Sequence, residues 1–408
     1  MERFFEDPKT IEKFRVGPLG LHIQELAEEL SHHGYTRLSG RVRIRTLSRF
    51  ACWLKKCRIS VRELTSAHVK SWTERHGSVK CGDGKILRML LELLSRNGLL
   101  ARPVQLPTYT EAEGIVAKFS DYLRQQRALA SGTINYHRKY VATFLAYRFP
   151  DGAVDPSKIE AQDFVIFLQK EAARRTPMSA KNVSTVLRSF TGYLFSAGII
   201  DRDLSGSIPT VCCWSLTGIP KGLTRKQVAR VLACCNRKTA TGRRDYAVLL
   251  LLARLGLRAG EVAALRLEDI DWTAGTLTVS GKGAKFCKLP LPHDVGQAVA
   301  AYLRKDRPSV PSKSVFLRIP APHRGFQGSR AVSQIVNNAL ARAGVESRSK
   351  GAHQFRHTLA TQMLANGASL PDIGRVLRHE KPKTTFLYAK VDFKALRPIA
   401  KRWPGGAR

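Results

Sequence analysis

Apolar residues recur at helical spacing from about residue 19 to about residue 205, so this half of the chain is expected to be almost entirely α-helical. The pattern breaks between 102 and 110, where Pro103 and Pro107 mark a linker. The two sides of the break look alike. Before it, HIQELAEELSHHGYT leads into RIRTLSRFACWL, then ISVRELTSAHVKSWTERH, then ILRMLLELLSRNGLL. After it, IVAKFSDYLRQQRALA leads into NYHRKYVATFLAY, then VDPSKIEAQDFVIFLQK, then VSTVLRSFTGYLFSAGII. Phe50 pairs with Phe144 and Trp53 with Tyr147 at an offset of 94, and Leu64 pairs with Ile159 and Val69 with Phe164 at 95. Gly98-Leu99-Leu100 then matches Gly198-Ile199-Ile200 at an offset of 100, which fits an insertion near Arg174 to Met178. Offsets that drift in one direction suggest a duplicated four-helix unit, 19–103 and 113–205. Loose alignment of two unrelated amphipathic bundles is the alternative.

Residues 206–221 hold Gly, Ser and two prolines and read as a linker between domains. Thr224 is then placed to cap a helix, and a mixed pattern runs to about 395. One hairpin is clear: Thr276 to Ser280 alternate, Gly281-Lys282-Gly283 turn, and the chain returns through Phe286 to Leu291. The expected architecture is mainly α, two helical bundles in tandem followed by a mixed domain at 221–395 with a small β-hairpin or sheet.

A chain of 408 residues has room for two or three domains, and its 43% apolar content is that of a globular protein. Charge changes the picture. Lys and Arg total 68 against 32 Asp and Glu, a net charge of +36. An excess this large repels itself unless a polyanion is present, which makes double-stranded DNA the natural partner. The apolar run from Val248 to Ala253 is far too short to span a bilayer, and the start, MERFFEDPKT, lacks the apolar stretch of a signal peptide. Eight cysteines without regular spacing suit reduced thiols in a cytoplasmic protein. Cys212-Cys213 and Cys234-Cys235 are adjacent pairs rather than a metal knuckle, so no metal site is expected.

Several stretches carry residues suited to phosphodiester chemistry without a metal: a nucleophile, charge for the transition state, and an acid for the leaving oxygen. In LGLRAGEVAAL, Arg258 follows Gly256 at a break between helices, with Glu261 one turn later. Lys282 sits at the hairpin tip between glycines, with Lys285 beside it. His353 and Arg356, in HQFRHTLATQML, are i and i+3 and share a helix face. His357 is one residue on, points elsewhere, and reads as structural. His379 ends the helix opened by Ser369 and Pro371. Nine positions later Tyr388 lies in a short helix after Pro382, in a T-x-x-Y context with Thr385. Each of these alone has an ordinary explanation, as a surface ion pair, an exposed turn lysine, a helix-end histidine or a core tyrosine. The set decides. Nearby Arg, Lys and His are expected to favour the phenolate of Tyr388.

The stretches ARLGLRAGEVAALRLEDI, SGKGAKFCKLPL, HQFRH, VLRHE and TTFLYAKV resemble the catalytic boxes of the tyrosine recombinase (phage integrase) family, in its order and near its spacings. The resemblance covers residues 113–395, the segment 19–103 lying outside the minimal family core. It implies that 113–205 is a SAM-like core-binding domain, that 221–395 is the catalytic domain, and that the linker lets the two close around DNA. It implies Arg258 and Arg356 as the phosphate clamp and Glu261 as support for Arg258. Lys282, or Lys285 in its place, would protonate the departing 5′ oxygen from the minor groove. His353 would donate or accept a proton, His379 would help to hold the phosphodiester, and Tyr388 would form a 3′-phosphotyrosyl bond, without metal, ATP or cofactor. Homo- or hetero-tetramers on DNA and a mobile element follow from the same resemblance. The family usually has Leu-Gly-His where this chain has Leu377-Arg378-His379, and an arginine, needing more room, is expected to take a different backbone. A type IB topoisomerase and a catalytically dead architectural or repressor protein are the alternatives. In the first unit Arg41, Arg45 and Arg49 form a stripe at i, i+4, i+8, with Ile44, Leu47, Ala51 and Leu54 toward the other side. It is either a track for a phosphate backbone or a solvated polar face.

Overall fold

The computed structural model describes residues 1–75, 83–100, 110–213, 222–281, 286–347 and 351–391. By backbone contacts the chain forms two compact units: Met1–Arg102 with Gly218–Arg408, and Pro103–Thr217. The molecule is mainly α-helical with one small antiparallel sheet.

The N-terminal helices are α1 (Pro8–Arg15), α2 (Gly20–His32), α3 (Arg37–Lys56), α4 (Ser66–Arg75) and α5 (Asp83–Arg96). Their core takes Leu26 and Leu30 from α2, Ile44, Leu47, Phe50 and Leu54 from α3, and Leu87, Leu90 and Leu94 from α5. It starts earlier than residue 19, because Phe4 and Phe5 are buried in the same cluster and Asp7 caps α1. These helices also touch the later part of their unit: the His323 N–H donates to the His33 carbonyl at 3.1 Å, and Ala321 packs on the helical core.

The second unit holds α6 (Glu111–Gln125), α7 (Ser131–Arg148), a 3₁₀ turn at Pro156–Lys158, α8 (Ala161–Ala172) and α9 (Pro177–Ser196). The N-terminal series from α2 to α5 has the same order, with its own 3₁₀ turn at Val61–Glu63 after the long helix. Phe50 meets Trp72 edge-on at 5.5 Å, and Phe144 meets Phe167 edge-on at 5.3 Å, four positions related by offsets of 94 and 95. Each series ends on a glycine with positive φ, +69° at Gly98 and +66° at Gly198, a conformation that costs a glycine nothing. Part of the expected linker is not free chain. Ile208 is buried in the second unit, and the Arg188 guanidinium donates to its carbonyl at 2.6 Å.

The remaining elements are α10 (Arg225–Ala233), α11 (Ala240–Leu255), α12 (Ala259–Ala264), β1 (Ile270–Asp271), β2 (Thr276–Ser280), β3 (Phe286–Pro290), α13 (His293–Lys305), α14 (Ser329–Arg342), α15 (His353–Ala365), α16 (Leu370–Leu377) and α17 (Pro382–Thr385), then a 3₁₀ turn at Phe386–Val391. Helix α11 is apolar on every side from Ala247 to Leu252 and buried there, the signature of a helix segment at the centre of a core. Thr224 caps α10 by accepting from the Gln227 N–H at 3.2 Å. The sheet order is β1-β2-β3, and the β2–β3 register pairs Thr276 with Pro290 and Ser280 with Phe286. Leu277 and Val279 alternate into the core, while β1 adds a short third strand beyond the expected hairpin. A satellite cluster of Ala360, Leu364, Ile373, Leu377 and Tyr388 ties α15 and α16 to the last turn. Among the described residues no helix is long and apolar enough to cross a membrane.

Candidate active site

Helix α11 stops at Gly256, whose left-handed backbone (φ +57°) turns the chain toward α12. A Cβ at this position would lie 2.8 Å from Leu377 Cδ2 and 2.9 Å from Leu359 Cδ2, so any side chain here would have to displace both leucines as well as hold a strained backbone. The turn sets Arg258 at the N-cap of α12. Its backbone N–H donates to Glu261 Oε2 at 2.9 Å, and Nη1 donates to Oε1 at 2.7 Å. Glu261 is buried and also receives Nη2 of Arg378 at 2.8 Å. Burial pushes the Glu261 carboxyl up. The Arg258 N–H and then the Arg378 and Arg258 guanidiniums outweigh that, leaving it below the usual carboxylate value.

Arg378 corrects an expectation. Its backbone does not depart from what a glycine would adopt: φ is +55° and ψ is 52°, the left-handed conformation that closes α16. The Arg378 N–H reaches Arg375 O at 3.0 Å and the His379 N–H reaches Gly374 O at 2.9 Å, a Schellman cap. For a non-glycine residue this costs about 1–2 kcal/mol. A charge-assisted hydrogen bond to Glu261 returns a similar amount, about 1.5–3 kcal/mol. The Arg378 carbonyl also accepts Arg258 Nη2 at 3.3 Å, so this residue holds both Arg258 and Glu261.

Arg356 is 3% exposed on α15. Nη1 donates to the Gly256 carbonyl at 2.7 Å and Nη2 to the Leu377 carbonyl, tying together the C-terminal ends of α11 and α16. Burial, then the charges of Arg258 and Arg378, bring its pKa down to about 10, so it stays cationic at neutral pH. His353 opens the same helix, and its ring lies 5.8 Å from that of His357. Partial enclosure, then Arg356 and Arg258, hold His353 below the ordinary imidazole value.

His379 Nδ1 sits 2.7 Å from Thr385 Oγ1, which gives the threonine of the T-x-x-Y context a defined partner. Burial and then the surrounding cations, Arg356 first, push His379 down to about 4. Its ring stacks at 5° on that of Tyr388, with centroids 6.4 Å apart. Tyr388 itself lies in the 3₁₀ turn and is 2% exposed. Its pKa is raised, because burial outweighs the lowering by Arg356. Arg356 does favour the phenolate, as expected, but in the resting fold burial outweighs it. As folded here, the tyrosine is a protonated, enclosed group.

A second correction concerns His357. It does not point away: its Nδ1 is 3.0 Å from the Tyr388 hydroxyl. The signal was its place in HQFRH, four residues after His353, which puts both rings on one face of α15. Arg258, Glu261, His353, Arg356, His379 and Tyr388 thus form one cluster with Arg378 and His357. A cleft of about 580 Å³ opens on it, lined in part by Arg258, Arg378, His379, Phe286 and Lys381. Lys282 and Lys285 lie outside the described residues. Arg41, Arg45 and Arg49 are on α3, apart from this cluster. Arg45 and Arg49 are exposed, but Arg41 is engaged internally, its Nε donating to the Phe4 carbonyl at 2.6 Å and its guanidinium lying over Phe5. Ile44, Leu47, Ala51 and Leu54 face the core.

The helical frame gathers guanidiniums and imidazoles beside a tyrosine hydroxyl, and known proteins supply the class, the enzymes of DNA strand exchange. Residues 221–395 match the phage integrase family. Over 394 residues the chain is 42% identical to the integrase/recombinase-type protein y4rA of Sinorhizobium fredii, with 96% of each chain covered. It is 29% identical over 299 residues to the tyrosine recombinase XerD of Listeria monocytogenes, covering 71% of this chain and 98% of that protein. The XerH site-specific recombinase, solved with palindromic difH substrate in a post-cleavage complex, shares the fold at a TM-score of 0.55 and 17% identity, over 79% of this chain and 89% of that one. The chain belongs to the phage integrase family of tyrosine recombinases. It is an enzyme of site-specific DNA recombination, and neither the topoisomerase nor the repressor alternative stands.

Proposed function

We propose that this recombinase cuts and rejoins double-stranded DNA at Tyr388, with Arg258 and Arg356 as phosphate clamp. The observation that supports this most is the convergence of Arg356, His357 and His379 on a single tyrosine. Tyr388 attacks the scissile phosphate, its oxygen bonds to phosphorus, and the 5′ oxygen leaves as a hydroxyl. Lys282 supplies the proton to that oxygen, with Lys285 as the neighbouring alternative. His353 and His379 stabilise the phosphoryl oxygens, and Glu261 holds Arg258 in place. A 5′ hydroxyl from a partner strand then reverses the step. Bond energy is kept in the phosphotyrosine, so neither ATP nor a metal enters the chemistry.

Exchange between two duplexes requires a cut in each of four strands, which favours a tetramer of this chain, alone or with sister recombinases. The net charge of +36 suits a protein that works on DNA. The N-terminal helices, built in the same order as the second unit, add DNA or protein contacts and no chemistry. Mobile-element movement is the setting the reading favours. A nicked suicide duplex bearing the ends of the element that flanks the coding region tests it. Wild type yields a covalent complex resistant to SDS, Tyr388→Phe yields none, and equal yields would remove Tyr388 from the role.

A further inference from the structure

We propose that His357 is the group that takes the phenolic proton of Tyr388 as the tyrosine attacks DNA, an inference that rests on the assignment of Tyr388 as nucleophile. Tyr388 is 2% exposed, so bulk water is poorly placed to accept that proton. Among the described residues the hydrogen bond made by its hydroxyl runs to His357 Nδ1, at 3.0 Å. The other two histidines are placed differently. His379 lies with its ring near-parallel to that of Tyr388, centroids 6.4 Å apart, and uses Nδ1 on Thr385 at 2.7 Å. His353 lies beyond His357, ring against ring at 5.8 Å.

The charges around His357 favour a neutral, accepting imidazole. It faces His353 and Arg356 on its own helix, Tyr388 on the 3₁₀ turn, and His379 after α16. Burial first, then His353 and Arg356, hold it below the ordinary imidazole value. In the forward step the Tyr388 oxygen bonds to phosphorus, its proton passes to His357 Nδ1, and the P–O5′ bond breaks. The 5′ oxygen collects its proton from a different group, the Lys282 ammonium. In rejoining, the incoming 5′ hydroxyl returns a proton to the lysine, and the imidazolium returns one to the tyrosine. The entering phosphate diester, an anion, raises the proton affinity of His357 when it is needed.

The test separates base from acid. Full-length protein is mixed with nicked duplexes carrying either oxygen or sulfur as the 5′ bridging atom, and adduct formation is followed in single turnover. A thiolate leaves without a proton, so Lys282→Ala should recover on sulfur. His357→Asn keeps an acceptor near the Nδ1 position but cannot hold a proton. It should be slowed about 10²-fold or more on both duplexes. A wild-type rate for His357→Asn, or its recovery on sulfur, would overturn the proposal. The wild-type protein gives a second reading that does not depend on how the variant folds. On the sulfur duplex its rate should fall as pH drops into the acidic range below the ordinary imidazole value, and the fall should persist in His353→Gln. A wild-type rate that stays flat down to the pH at which the protein unfolds would also overturn it. Absence of any wild-type adduct would instead bring down the Tyr388 assignment.

Discussion

Glu261→Gln removes one negative charge from a buried carboxylate that two arginines share. In the wild-type fold Glu261 accepts the Arg258 N–H at 2.9 Å, Arg258 Nη1 at 2.7 Å and Arg378 Nη2 at 2.8 Å. Its side chain is 4% exposed, so solvent screening does little to soften the loss. Breaking a buried pair by removing one partner costs about 3–5 kcal/mol, because the other charge is left uncompensated. Glutamine keeps one acceptor oxygen but turns an amide N–H toward a guanidinium, which places the expected loss near about 3 kcal/mol. For a domain of this size that is a fall in Tm of about 6–12 °C. The effect carries a pH signature. The folded-state pKa of Glu261 is depressed, so its stabilisation is present above the unfolded carboxylate value and lost as pH falls through the folded one. The gap between wild type and Glu261→Gln should therefore close below about pH 4. Calorimetry across pH 3.5 to 7.5, with single-turnover cleavage alongside, measures both. A variant that melts within 2 °C of wild type at pH 7 and cleaves at the wild-type rate would refute the claim that Glu261 anchors the clamp.

Arg378→Gly trades about 1–2 kcal/mol of relieved backbone strain for a lost charge-assisted hydrogen bond of about 1.5–3 kcal/mol. Its denaturant midpoint should therefore correspond to a change of no more than about 1–2 kcal/mol, and a larger loss would show that the two effects do not offset. Arg356→Lys keeps a charge but cannot span the Gly256 and Leu377 carbonyls. Cleavage should fall about 10²-fold or more while DNA affinity barely moves, and cleavage at the wild-type rate would contradict the clamp. Charge reversal of Arg45 and Arg49 together should flatten the dependence of log K on log salt by about two units if α3 tracks DNA. An unchanged slope would leave these residues as a solvated face.

The frame was readable in the sequence because helical periodicity, capping residues and turn glycines each mark their positions locally. The paired offsets of Phe50 with Phe144 and Gly98 with Gly198 fall on equivalent elements of two helical series. Arg258, Arg356, His379 and Tyr388 were found through their boxes, and the structure gathers them with His353. What escaped depended on contacts between distant segments. The spacing of His353 and His357 puts both rings on one face of α15, but it does not say that a tyrosine 31 residues on will reach the Nδ1 of His357. Arg378 looked like a misfit in a glycine position until Glu261, 117 residues earlier, supplied its partner. For Tyr388, residue types revealed the neighbouring charge of Arg356, whereas the burial that outweighs it is a property of the packed satellite core. Arg41 appeared equivalent to Arg45 and Arg49 because its binding to Phe4 and Phe5 comes from a segment outside the helical pattern.

The central claim is that one tyrosine carries the DNA strand, and the direct measurement is the identity of the linked residue. Wild-type protein trapped on a nicked duplex is digested with nuclease and protease, and the peptide bearing a nucleotide is sequenced by mass spectrometry. The account predicts a single modified peptide containing Thr384 to Lys390, with the 3′-phosphonucleotide on Tyr388. A nucleotide on any other residue, or one attached through a 5′ phosphate, would contradict it.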